Sequence, residues 1–201
     1  MEVIFKYWES AGGLAVILAI VCFAICYYFF RIYFTLKKVS NIPVDFERKL
    51  KEAIKKSDFS LFKKEYKNST SLISKVICSN IKDNTLNLKI TDYDRAVDSS
   101  IRKITVKLII LTALTTAAPL VGLFGTVLGM IETFDGLAGY ATDTGAVLAS
   151  GISKALITTQ AGLIISIPGI FGILFLAVSE SNLKAQMASY RTLINLYRNK
   201  E

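Results

Sequence analysis

At 201 residues, 52% of them hydrophobic, and with a positive mean hydropathy, the chain is too apolar for an ordinary soluble domain. Its net charge of +8 suggests nucleic acid at first sight, but the lysines and arginines gather beside apolar runs, as they do at the flanks of membrane helices, and no nucleic-acid partner is expected. Histidine is absent, and neither a nucleophile–base arrangement nor a zinc spacing occurs, so the chain reads as non-enzymatic, without metal or cofactor.

A bilayer span needs about 20 apolar residues. The first candidate runs from Leu14 to Phe34. Glu2 and Glu9 stand against Lys6 before it, whereas Arg31, Lys37, Lys38, Arg48, Lys49 and Lys51 follow it. Basic residues after the run, not before it, mark a retained anchor rather than a cleaved signal peptide. The positive-inside tendency then puts the N-terminus outside. Cys22 and Cys26 inside the span, and Cys78 beyond it, imply no disulfide framework, and the first two read as small apolar fillers.

Residues 37–106 predict a small helical cytoplasmic domain. Phe46, Leu50 and Ile54 recur at four-residue spacing, followed by Phe59, Phe62 and Tyr66, then Leu72, Val76 and Ile77. Such a segment is too short to bury much core unaided, so it must lean on neighbouring helices or subunits. Thr91 or Asp92 is placed to cap a helix whose apolar positions Val97, Ile101 and Ile104 run without a breaker into the second span, Leu108 to Ile131. From Asp92 to Ile131 that helix would be about 60 Å long, about twice the hydrocarbon thickness.

The second span carries Pro119, Gly122, Gly125, Thr126 and Gly129, and ends at Glu132. Gly125 and Gly129 form the small-xxx-small pattern of close helix contact, with Gly122 a turn away. Pro119, Thr126 and Thr133 recur every seven residues. Acidic residues Glu132, Asp135 and Asp143 fill the connection to the third span, Ala155 to Val178, which holds Thr159, Gly162, Ser166 and Pro168. Thr159, Gly162 and Ser166 share a face by three- and four-residue spacing. Two polar, small-residue stripes on adjacent helices suit a hydrated path or a groove for another helix. Pro119 and Pro168 are expected to kink their helices. Lys154 falls at the outer mouth, where it either snorkels or pairs with Glu132. Leu183, Met187, Tyr190, Ile194 and Tyr197 prolong the third helix, and Lys184, Arg191, Arg198 and Lys200 make the tail basic and therefore cytoplasmic.

The expected fold is thus an all-α membrane protein with three transmembrane helices, the second and third long and extending into the cytoplasm. Its divisions are residues 1–36, an outside terminus and first span; 37–106, the cytoplasmic domain; 107–180, the second and third spans; and 181–201, a cytoplasmic C-terminal helix. No aspartate or glutamate lies within any of the three spans. A proton-driven device needs an intramembrane carboxylate, which another chain would have to supply.

Two signatures, APLVGLFGTVLGMIETF from Ala117 and GISKALITTQAGLIISIPG from Gly151, resemble those of the ExbB/TolQ/MotA family of proton-channel subunits. Three spans and an outside N-terminus are similar to the ExbB and TolQ branch, whereas flagellar MotA has four spans. The resemblance implies a bacterial inner-membrane protein with a periplasmic N-terminus, assembled as a homopentamer around an ExbD- or TolR-like single-span partner whose membrane aspartate carries the proton. Thr126 and Thr159 would face that partner, Gly122, Gly125, Gly129 and Gly162 would allow close packing, and force would pass to a TonB- or TolA-like protein acting on the outer membrane. Many ExbB proteins have glutamate where this chain has Lys154, so no role of that glutamate carries over. The rival readings are a non-conducting scaffold for a single-span partner and a motility stator.

Overall fold

Apolar runs of this length have one way to satisfy their backbone without water, which is to form continuous helices. The computed structural model describes residues 2–43, 45–56, 58–66, 69, 71–79, 81–82, 85–86, 90–139 and 144–198. Asp143 and Lys200 lie outside the described residues, as do the side chains of Glu2, Lys6, Glu9, Tyr197 and Arg198. The element order is α1 (Glu2–Ser40), α2 (Phe46–Lys56), α3 (Ser60–Tyr66), α4 (Leu72–Ser79), β1 (Ile81–Lys82), β2 (Thr85–Leu86), α5 (Ile90–Gly139) and α6 (Thr144–Arg198). Three helices are long and apolar enough to cross a membrane, over Gly13–Ser40, Thr91–Leu137 and Leu148–Leu196. The chain is an all-α membrane protein, its only departure among the described residues being a two-residue antiparallel pair in which Ile81 meets Leu86.

The chain divides into two units, the first made of Met1–Phe30 and Ile109–Phe175, the second of Arg31–Leu108 and Leu176–Glu201. In the first unit the buried side chains include Leu18 and Ile25 on α1, Leu111, Thr115, Ala118 and Thr133 on α5, and Ala155, Thr158 and Ser166 on α6. Large apolar side chains point outward on all three helices, among them Ile20, Phe23, Leu120, Phe124, Ile164 and Phe171. Such a surface belongs against lipid or another membrane helix. Both α5 and α6 continue through their prolines, Pro119 and Pro168, each of which removes one N–H from its helix ladder.

The second unit has an aromatic core. Phe46 of α2 packs against Phe62 and Tyr66 of α3 at centroid separations of 5.2 and 4.9 Å, and against Tyr190 of α6 at 5.7 Å. The small helices therefore lean on the long ones of the same chain. Tyr93, 1% exposed, donates its hydroxyl to the Met187 carbonyl at 2.9 Å, and Arg191 forks onto Asp94 through Nε and Nη2 at 2.8 and 3.0 Å. The Ser60 N–H donates to Asp58 at 2.9 Å as α3 begins, which holds that carboxyl below its ordinary range. Burial pushes the Cys78 thiol upward, with Lys63 opposing weakly.

Three local expectations differ. Helix α5 begins at Ile90, so Thr91 and Asp92 sit in its first turn rather than at its cap. On α4 the buried apolar pair is Ile73 and Ile77, not Leu72 and Val76, and on α2 Ala53 is buried while Ile54 is only partly covered. Packing against neighbouring helices selects faces that a short sequence window leaves equivalent.

Candidate functional site

Residue size sets the geometry of the α5–α6 pair. Reading α5 toward its C-terminal end, Thr115, Ala118, Gly122, Gly125, Gly129 and Thr133 are buried at three- and four-residue intervals. Against them, in the opposite order along α6, lie Gly169, Gly162, Thr158, Ala155 and Gly151. The helices are antiparallel, and nearly every contact joins a glycine of one to a small residue of the other. A β-carbon on Gly162 would stand 2.7 Å from the Ala118 carbonyl oxygen, and one on Gly122 would stand 2.9 Å from the Thr158 carbonyl oxygen. On Gly125 it would strike the Thr158 side chain, and on Gly151 that of Thr133. Close backbone approach of this kind is what small residues permit in membranes.

Hydroxyls along the seam are satisfied in two ways. Thr115 and Thr133 donate back to their own helix, to Leu111 at 2.9 Å and Gly129 at 2.6 Å. Thr158 and Thr159 both reach across to the Gly122 carbonyl, at 3.3 and 3.2 Å, with Thr158 also donating to Ala155 at 2.8 Å. Hydrogen bonds between membrane helices average about 0.6 kcal/mol, so backbone proximity and dispersion contribute more to this pairing than the two long bonds do.

The predicted residues separate into two groups. Gly122, Gly125, Gly129 and Gly162 are all buried in the seam. Thr126 and Thr159 are half-buried at its edge; Thr126 donates to the Leu123 carbonyl at 2.7 Å and touches no hydroxyl of α6 in any described bond. The seven-residue stripe of Pro119, Thr126 and Thr133 does not act as one face, because Thr133 is 3% exposed in the seam and the other two stand beside it. Likewise Gly162 and Ser166 are interior while Thr159 is partly open. Thr115 and Thr158 are seam residues that sequence reasoning did not single out, although a signal was present: Ala155, Thr158, Gly162, Ser166 and Gly169 repeat at intervals of three and four.

At the far end of the seam Lys154 donates to Glu132 Oε2 at 2.9 Å, with side-chain exposures of 39% and 64%. Of the two dispositions open to Lys154, pairing is the one adopted. The pair adjoins a cavity of about 420 Å³ that also meets Gly13, Leu14 and Phe124, and a second of about 460 Å³ beside Thr133, Ser150 and Gly151. Among the described residues no three histidine, cysteine, aspartate or glutamate side chains converge as a metal site. The arrangement can hold helices close and offer hydroxyls and one ion pair at an edge; it has no nucleophile–base geometry.

Residues 45–189 match the sequence profile of the MotA/TolQ/ExbB proton channel family. Among individual relatives, the chain is 38% identical over 89 residues to the biopolymer transport protein exbB1 of Vibrio cholerae, covering 44% of this chain and 39% of that one. It is 38% identical over 95 residues to the biopolymer transport protein ExbB of Pseudomonas putida, covering 47% and 29%. It is also 40% identical over 75 residues to the Tol-Pal system protein TolQ of Pseudomonas aeruginosa, covering 37% and 32%. Each match spans well under half of the relative's length.

Proposed function

The chain belongs to the MotA/TolQ/ExbB proton channel family, and from that membership we propose that it is the multi-span subunit of an inner-membrane proton channel that couples the proton motive force to TonB-type transport across the outer membrane. Five copies enclose the span of an ExbD- or TolR-like partner, whose membrane aspartate shuttles the proton, and force passes on to a TonB- or TolA-like protein. The N-terminus is periplasmic and the tail cytoplasmic, in line with basic residues after the first span and acidic ones between the second and third.

The observation that carries this reading is the division of labour on the hairpin. Glycines and small residues close the α5–α6 seam on itself, while the edge residues Thr126 and Thr159 keep partly open hydroxyls beside spans that hold no carboxylate. Those hydroxyls line the path and face the partner. Pro119 and Pro168 bend their helices around it, and Glu132 with Lys154 forms the outer mouth. The scaffold reading draws on one observation, that Thr126 already has an acceptor in its own helix; a scaffold would hold the same partner and pass no protons.

The native mass of the complex, extracted gently with a tag on the C-terminal tail, tests the assembly. Five copies with two of a small single-span protein carrying a membrane aspartate is the expected result. A ring or dimer of this chain alone, persisting under milder extraction, contradicts it.

A further inference from the structure

Outside the hairpin seam, one buried charge is unaccounted for. On α6 the buried positions of the second unit are Leu176, Glu180, Leu183, Met187, Tyr190 and Ile194, an alternating four- and three-residue stripe of the kind that packs helices side by side. Glu180 occupies a core position in that stripe at 6% exposure, and among the described residues it is the one buried charged side chain. An apolar residue would fill that position without the desolvation a carboxylate suffers there.

Two polar groups meet that carboxyl group, one from each long helix. From α5 the Thr105 hydroxyl donates to Oε1 at 2.5 Å. From α6 itself Lys184 pairs with the same oxygen at 2.9 Å, and that lysine is 51% exposed. The half-exposed lysine leaves one side of the pair open at the protein surface. Glu180 is also the first carboxylate after the third span, in a chain without histidine.

We propose that Glu180 is a proton-accepting site of this chain, taking up protons released from the partner's membrane carboxyl and passing them to cytoplasmic water; this rests on the proton-channel reading above. The step is a proton transfer with no other change. A proton leaves the donor as a carboxylate or water remains, bonds to a Glu180 oxygen in place of the Lys184 contact, and departs to bulk water as the ion pair re-forms. A role limited to fixing helix register needs polarity and not ionisation, so glutamine would serve it equally well.

The test is proton flux, followed by a pH-sensitive dye in liposomes holding the full chain with its co-purified partner, for the parent and for Glu180→Gln, Glu180→Asp and Glu180→Leu. Glu180→Gln and Glu180→Leu are expected to assemble normally and lose flux by about tenfold or more, with Glu180→Asp retaining part of it. Flux in Glu180→Gln equal to the parent's would overturn the proposal and leave a register role. If Glu180→Gln does not assemble, infrared spectra of the parent complex at stepped pH decide instead, through a carboxyl band that moves in Glu180→Asp. The absence of such a band overturns the proposal. A parent complex that conducts nothing removes the channel reading itself, and the infrared experiment still shows whether Glu180 binds a proton.

Discussion

At the scale of single residues, the seam depends on what is absent from its glycines. Gly162→Ala must move the Ala118 carbonyl, which stands 2.7 Å from the new carbon, and overpacking of this sort costs about 1–3 kcal/mol. The expected outcome is a lower thermal midpoint of the detergent-solubilised protein. Gly145→Ala, with nothing within 4 Å of its new carbon, should leave the midpoint unchanged or raise it slightly, since alanine favours helix by about 1 kcal/mol. Equal effects at the two sites would count against close packing as the reason for Gly162. Thr126→Val removes an edge hydroxyl and keeps its shape; the complex is expected to assemble and its proton flux to fall about tenfold, the equivalent of about 1.4 kcal/mol in barrier height. Unchanged flux takes Thr126 off the path. Cys78 is buried and its thiol is pushed upward by that burial, so little thiolate forms near neutral pH. With Cys22 and Cys26 replaced by alanine, maleimide should label Cys78 slowly in the folded protein and rapidly after denaturation; rapid labelling of the folded protein would show the site open.

At the scale of elements, the two long helices are held in the second unit by groups that sequence inspection does not join. Tyr93 and Met187 are 94 positions apart, and their hydrogen bond is buried. Tyr93→Phe is expected to lower stability by about 0.5–1.5 kcal/mol, read as a shift in the unfolding midpoint; no shift would mean that the hydroxyl finds water in the unmodified protein. The existence, order and apolar length of α1, α5 and α6 were legible because a membrane span needs a long unbroken run, which few other structures produce. The glycine positions were legible for the same reason, since Gly125 and Gly129 at helical spacing have few other uses inside a span. The partition between seam and edge was not. Thr126 and Thr133 look equivalent at seven residues apart, but packing against Gly151 takes Thr133 into the interior and leaves Thr126 beside it. The face of α4 was hidden too, because Leu72, Ile73, Val76 and Ile77 are all apolar and only the neighbouring helices choose between them.

At the scale of the whole molecule, a proton path along these helices needs a carboxylate that their spans do not carry. The spans from Leu14 to Phe34, Leu108 to Ile131 and Ala155 to Val178 contain none, and the function proposed above puts it on a partner's span. The most direct measurement is therefore proton flux into liposomes that hold the purified complex, with the single-span partner intact, with its membrane aspartate changed to asparagine, and with the partner left out. Flux is expected in the first preparation and tight liposomes in the other two. Tight liposomes in all three, with the complex assembled, would contradict it and leave the chain a scaffold.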